Sequence, residues 1–113
     1  MQLYPDLIVL GSTGSVGEQA LDVARVHGIT VRGVSAHRNI TAIEAQAREF
    51  HPDFAVLTDE AAARELALRL ADTDIRVLGG FAGITEMLHT ARTQNPLGIT
   101  VENSILGRRG VSK

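Results

Sequence analysis

Gly11, Gly14 and Gly17 are spaced three residues apart in the segment GSTGSVG, directly after the apolar run of residues 7–10. In such a setting Gly11 lets the chain turn sharply, and Gly14 removes a side chain so that a pyrophosphate can approach the backbone. Gly17 then allows the following helix to pack close to the sheet. The spacing alone is typical of any tight turn, but between a buried strand and a helix it predicts a dinucleotide-binding loop.

The residues between these glycines can donate hydrogen bonds to phosphate oxygens. Backbone N–H groups near Ser15 and Val16 lie at the start of the predicted helix, where the helix dipole favours an anion. Thr13 and Ser15 add hydroxyl donors. We therefore predict that residues 11–17 bind the phosphates of a nucleotide.

A basic segment, His37-Arg38-Asn39, follows the predicted second strand. NAD-selective sites usually have Asp or Glu here to accept from the ribose hydroxyls, whereas residues 35–39 contain no carboxylate. Arg38 offers a planar donor fork suited to a 2′-phosphate, a protonated His37 would assist, and Asn39 can donate from its amide. The segment predicts NADP(H) rather than NAD(H); the alternative is that Arg38 is a solvated loop residue and Asn39 a helix cap.

The elements that position these residues alternate along the chain. Short apolar or β-branched runs predict strands at residues 7–10, 29–36, 54–58, 76–78 and 99–106. Helical patterns predict helices at residues 16–26, 41–50, 61–71 and 81–92. Thr41 and Glu44 have the spacing of a capping box at the start of the second helix. This alternation predicts a single α/β domain over residues 1–113, with a Rossmann-like parallel sheet of about five strands and helices on both faces.

Composition excludes several classes of protein. The net charge of −2 and the lack of a basic run longer than two residues argue against nucleic-acid binding. There is no cysteine, and the four histidines lack a zinc-binding spacing, so no metal site is predicted. The sequence contains no apolar stretch long enough to span a membrane and no signal segment, which predicts a cytoplasmic protein.

Several segments together resemble the 1-deoxy-D-xylulose 5-phosphate reductoisomerase family. LIVLGSTGSVGEQALDVAR at residues 7–25 resembles the opening of that family, and residues 34–63 resemble its second strand, loop, helix and third strand. VLGG from Val77 and NSILG at residues 103–107 resemble its fourth strand and the end of its fifth. The resemblance covers nearly the whole chain.

The resemblance implies roles for individual residues. Thr13, Gly14, Ser15 and Val16 are expected to contact the pyrophosphate region of NADPH. His37, Arg38 and Asn39 are expected to surround the adenosine ribose and its 2′-phosphate. His37 departs from the family, which usually has glycine or a small residue at this position.

The family reaction is an isomerisation followed by NADPH-dependent reduction to 2-C-methyl-D-erythritol 4-phosphate, with bound Mg²⁺ or Mn²⁺. The acidic metal ligands of the family belong to a catalytic domain that follows the segments matched here. We therefore assign no catalytic or metal-binding residue and expect this chain, as a truncated NADPH-binding domain, to be inactive alone. An unpaired outer edge of the fifth strand would favour a homodimer.

Two other functions stay open from the sequence. Another reductase or dehydrogenase can carry GxTGxxG after its first strand, as aspartate-semialdehyde dehydrogenases and atypical short-chain reductases do. A non-catalytic nucleotide-binding module could also keep the fold without the reaction. The segments at residues 34–39 and 103–107 argue against the first alternative.

Overall fold

The computed structural model describes residues 6–91 and the backbone of residues 97–101. Five strands alternate with four helices. The strands are β1 (Asp6–Leu10), β2 (Val31–Ala36), β3 (Phe54–Leu57), β4 (Arg76–Gly79) and β5 (Leu97–Val101). The helices are α1 (Ser15–His27), α2 (Ile40–Phe50), α3 (Glu60–Arg69) and α4 (Gly80–Ala91).

The strands form one parallel sheet in the order β4-β3-β2-β1-β5. From β1 to β4 the chain moves outward in one direction, and it then returns to place β5 on the other side of β1. Right-handed connections therefore place α1, α2 and α3 on one face and α4 on the opposite face. The predicted parallel α/β fold with helices on both faces is confirmed.

Two apolar cores cover the two faces of the sheet. Val9 of β1 packs in the larger core with Leu21 and Leu66, which belong to α1 and α3. Ile8, also in β1, packs in the second core with Met87 of α4. Because both faces are covered, successive residues of β1 are buried, which explains its continuous apolar run.

The fifth strand begins earlier than predicted. It includes Gly98, which precedes the predicted strand of residues 99–106 and pairs with Leu7 of β1. Glycine is uncommon inside strands, so this boundary was misjudged from local preference. The rest of the predicted strand, with the Asn103–Gly107 segment, lies outside the described residues. Within the described residues β5 has a neighbour only on its β1 side, and the homodimer stays a prediction.

The amino ends of β1 and β2 hold a buried ion pair. Arg32 is 6% exposed and its guanidinium lies 3.3 Å from the carboxylate of Asp6, which is 5% exposed. Arg32 also donates a 2.6 Å hydrogen bond to Asp53, the residue before β3. Buried charges need partners of opposite sign, so this cluster joins the first three strands.

None of the helices in the described part of the chain has the length and apolar character needed to cross a bilayer.

Candidate functional site

The glycine-rich loop begins where β1 ends. Gly11 has a φ of 82°, in the left-handed region that glycine adopts without strain. The N–H groups of Gly11 and Ser12 both donate to the carbonyl of Ser35, at 2.8 and 2.7 Å. These bonds hold the loop against the carboxyl end of β2, its neighbour in the sheet.

Helix α1 begins directly after Gly14. Gly14 has an extended backbone at the cap position and provides no side-chain cap, so the helix start depends on backbone groups. Thr13 and Gly14 are half-buried, whereas Ser15 and Val16 are exposed at the first turn. A thirteen-residue helix with no capping side chain at its start presents a partial positive charge that favours an anion.

Gly17 lies against the loop that precedes α1. A Cβ atom at this position would lie 2.1 Å from the carbonyl oxygen of Gly11 and 2.7 Å from the Cα of Ser12. The predicted close packing is therefore present, but the partner is the turn at the end of β1 rather than the body of the sheet. Only glycine fits without displacing the loop.

His37 and Arg38 lie just beyond the end of β2. His37 Nδ1 is 2.7 Å from the hydroxyl of Thr58, and His37 Nε2 is 3.2 Å from Arg38 Nη2. Because a guanidinium only donates, Nε2 accepts and Nδ1 carries the hydrogen that points to Thr58. The His37 ring connects Thr58 to an Arg38 side chain that is 70% exposed.

Asp59 is a residue of this region that the sequence analysis did not single out. Its Oδ2 lies 3.9 Å from Arg38 Nε, so the segment that joins β3 to α3 contributes the carboxylate that residues 35–39 lack. A hydrogen bond from the N–H of Ala62 lowers the pKa of Asp59, and the charge of Arg38 lowers it further. The sequence positions of Thr58 and Asp59 could have placed them in this region. Both residues follow β3 directly, and parallel strands have their carboxyl ends at the same edge of the sheet.

Asn39 is the N-cap of α2. Its Oδ1 accepts from the N–H of Ala42 at 3.2 Å, and the helix begins at Ile40. The capping box predicted at Thr41 and Glu44 is wrong: Asn is among the strongest N-cap residues and precedes Thr41 by two positions. Glu44 instead forms ion pairs with Arg48 and Arg69.

These two loops meet at one edge of the sheet. β1 and β2 are parallel neighbours, with Leu10 paired to Ser35, so the loops that follow them lie side by side. β1 also lies between β2 and β5, where the direction of chain progress across the sheet reverses. Ligands of open α/β sheets bind outside the carboxyl ends of the strands at this position.

Comparison with known proteins identifies the family. The model of the 1-deoxy-D-xylulose 5-phosphate reductoisomerase family matches residues 7–112. The chain belongs to this family. The reductoisomerase of Acetivibrio thermocellus is 53% identical over 76 residues, covering 67% of this chain and 20% of the relative. That of Agathobacter rectalis is 45% identical over 104 residues, covering 91% of this chain and 26% of the relative.

Solved reductoisomerase structures share the fold. The enzyme from Zymomonas mobilis in complex with NADPH has a TM-score of 0.67 and 26% identity, covering 74% of this chain and 23% of that one. A reductoisomerase in complex with NADPH, fosmidomycin and magnesium has a TM-score of 0.70 at the same identity and coverage of this chain, which is 21% of that structure. The present chain thus spans about a fifth to a quarter of the length of these reductoisomerases.

Membership of the reductoisomerase family argues against one function left open by the sequence, that of another reductase or dehydrogenase, and leaves the non-catalytic nucleotide-binding module open. The family model that matches residues 7–112 describes the reductoisomerases, and not aspartate-semialdehyde dehydrogenases or short-chain reductases. Within the described residues no group of three His, Asp or Glu side chains could hold a metal ion. At the carboxyl ends of β1 and β2, the backbone N–H groups at the start of α1 and the guanidinium of Arg38 are able to donate hydrogen bonds to an anion.

Proposed function

We propose that this chain binds NADPH as the dinucleotide-binding part of a 1-deoxy-D-xylulose 5-phosphate reductoisomerase. The observation that carries the proposal is the position of two anion-binding loops side by side at the carboxyl ends of β1 and β2. A dinucleotide phosphate has anionic groups at two places, the pyrophosphate and the 2′-phosphate, and each loop suits one of them. The NADPH complexes of related reductoisomerases support the same assignment.

The pyrophosphate is assigned to the first loop. Gly11 and Gly14 form the turn, and the backbone at Ser15 and Val16 begins a helix that has no capping side chain. The hydroxyl of Thr13 is a further donor. Gly17 keeps α1 against this turn, so the helix start and the loop act as one rigid unit.

The adenosine ribose and its 2′-phosphate are assigned to the second loop. Arg38 would contact the phosphate with its exposed guanidinium, and Asn39 would donate from its amide nitrogen because its oxygen already caps α2. The hydrogen bond to Thr58 fixes the ring of His37 beside Arg38. The preference for NADPH over NADH therefore depends mainly on Arg38.

The reaction itself is a proposal for the whole reductoisomerase. Bound NADPH would supply a hydride that reduces the rearranged sugar phosphate to 2-C-methyl-D-erythritol 4-phosphate. The residues of this chain hold the adenosine and pyrophosphate parts of the cofactor, and none of them is assigned a catalytic or metal-binding role. A homodimer through the edge of β5, testable by static light scattering, and a cytoplasmic location remain predictions.

Calorimetric titration with NADPH and NADH tests the proposal. The wild type should bind NADPH more tightly than NADH, and Arg38→Ala should reduce NADPH affinity by about 10- to 100-fold because charge-assisted hydrogen bonds contribute about 1.5–3 kcal/mol. NADH affinity should change little. Arg64→Ala is the control, since Arg64 lies on α3 and is not assigned to the cofactor. Equal affinity for the two cofactors, or an unchanged preference in Arg38→Ala, would contradict the assignment.

A further inference from the structure

Gln46 of α2 contacts the backbone of the glycine-rich loop at Ser12. Its Nε2 donates a 2.9 Å hydrogen bond to the backbone carbonyl of Ser12, which lies 34 residues earlier in the chain. A carbonyl only accepts, so this contact requires the amide nitrogen of Gln46 rather than its oxygen. Ser12 itself is fully buried.

The loop is therefore held from two directions. The carbonyl of Ser35 in β2 accepts hydrogen bonds from the N–H groups of Gly11 and Ser12. The side chain of Gln46 in α2 donates a hydrogen bond to the carbonyl of Ser12. Bonds on both sides of the Ser12 peptide restrict its rotation and translation. The second contact matters because the loop otherwise has its backbone hydrogen bonds to β2 at one end only.

Helix α2 also begins at the second anion-binding loop. Asn39 caps the helix, and Ile43 and Ala47, on its buried face, pack in the same core as Leu21 of α1. Gln46 therefore lies on a rigid helix whose start carries the 2′-phosphate loop and whose middle contacts the pyrophosphate loop. One helix thus contacts both parts of the site, in addition to the pairing of β1 with β2.

We propose that Gln46 is a positioning residue that fixes the spacing between the pyrophosphate loop and the 2′-phosphate loop. This inference rests on the proposed binding of NADPH. A ligand that spans both loops depends on their spacing, whereas a ligand that occupies only the second loop does not. Gln46 should therefore affect the affinity for NADPH and leave the affinity for adenosine 2′-monophosphate unchanged.

Gln46→Met suits the test because it keeps the length of the side chain. The variant loses the hydrogen bond to Ser12, but it also removes the Gln46 Oε1 atom, which is buried without a hydrogen-bond partner among the described residues. These two effects on folding oppose each other, because burying an unpaired polar atom is unfavourable. The variant should fold, and Gln19→Met, at an exposed position of α1, is the matched control.

The experiment compares two ligands by titration of the full chain. Gln46→Met should weaken NADPH binding about 3- to 10-fold, as expected for one hydrogen bond, with adenosine 2′-monophosphate affinity within about twofold of the wild type. Amide hydrogen exchange at Gly11 and Ser12 should be faster than in Gln19→Met.

Three results would overturn this role. If the wild type binds NADPH and Gln46→Met weakens it no more than Gln19→Met, Gln46 does not position the loop. If both ligands lose affinity equally, its effect is on folding and not on spacing. If the wild type does not bind NADPH, the proposed function fails and this role fails with it.

Discussion

At the scale of single residues, Arg38 and Asp59 have opposite expected effects on a 2′-phosphate. The guanidinium attracts the phosphate, and the carboxylate lies 3.9 Å from the same guanidinium. Asp59 has a second role, because its Oδ1 accepts from the N–H of Ala62 at 2.9 Å and caps α3. A substitution that removes the charge of Asp59 and keeps a side-chain oxygen at the cap of α3 separates the effect on the phosphate from the capping role.

Asp59→Asn should increase the affinity for NADPH. Asn is as good a cap as Asp, so α3 should be retained, while the negative charge that opposes the 2′-phosphate is removed. We expect about a 2- to 5-fold tighter Kd for NADPH, in the range of one exposed ion pair, and no change for NADH. Calorimetry with both cofactors measures the difference.

Asp72→Asn is the control for this change in charge. Asp72 follows α3 near the opposite edge of the sheet and pairs with Arg48, so its loss should leave NADPH affinity unchanged. Weaker NADPH binding by Asp59→Asn would mean that Asp59 orients Arg38 more than it opposes the phosphate.

At the scale of elements, the contact between α1 and the loop before it depends on Gly17. Gly17→Ala would place a methyl group 2.1 Å from the carbonyl oxygen of Gly11, and backbone atoms on both sides have to move. We expect a loss of about 1–3 kcal/mol in the free energy of unfolding, as for other overpacked sites. NADPH affinity should fall by about 10-fold or more, since the phosphate-binding loop is displaced.

Gly28→Ala distinguishes this effect from a general loss of helix stability. Gly28 ends α1 with a φ of 67°, and no heavy atom of the described neighbours lies within 4 Å of a Cβ built there. Alanine at this position should cost about 1–2 kcal/mol through backbone strain alone. Urea unfolding should show both losses, and only Gly17→Ala should lose NADPH affinity; equal affinities would contradict the argument.

At the scale of the whole molecule, ion pairs connect neighbouring helices. Arg25 of α1 pairs with Glu49 of α2, and Arg48 of α2 pairs with Asp72 beyond α3. Hydrogen bonds from these arginines lower the pKa of Glu49 and of Asp72. All four side chains are between 43% and 65% exposed, so each pair contributes modestly and is sensitive to salt.

Acid should weaken the fold through these carboxylates. When the pKa of a carboxylate is lower in the folded protein than in the unfolded chain, its ion pair stabilises the fold fully above the unfolded pKa, about 4.3 for Glu and 3.9 for Asp. This stabilisation is lost as the pH falls through the folded pKa. The urea midpoint should therefore decrease between about pH 5 and pH 2. Glu49→Gln combined with Asp72→Asn should be less stable at neutral pH and show a smaller decrease; an unchanged pH profile would contradict this.

The local parts of the fold could be predicted from the sequence. Three such features are the apolar runs of β1 and β3, the run of strong helix-forming residues in α3 and the spacing of the glycines. Each depends on residues close together in the chain, so short-range propensity and periodicity describe it. The single-domain assignment has the same basis and stays a prediction. The start of α2 was misplaced because two capping patterns compete within residues 39–44, and the position of β5 because Gly98 resembles a loop residue.

The sequence by itself determined the order of elements, the glycine-rich turn and the basic residues that follow β2. Only the tertiary structure decided which distant residues meet at that turn and at the basic residues after β2. Thr58 reaches His37 across 21 residues, and Gln46 reaches Ser12 across 34 residues. Those contacts depend on the order of strands in the sheet and on the face that each helix covers, which no local pattern encodes, because the apolar packing of the whole chain selects them.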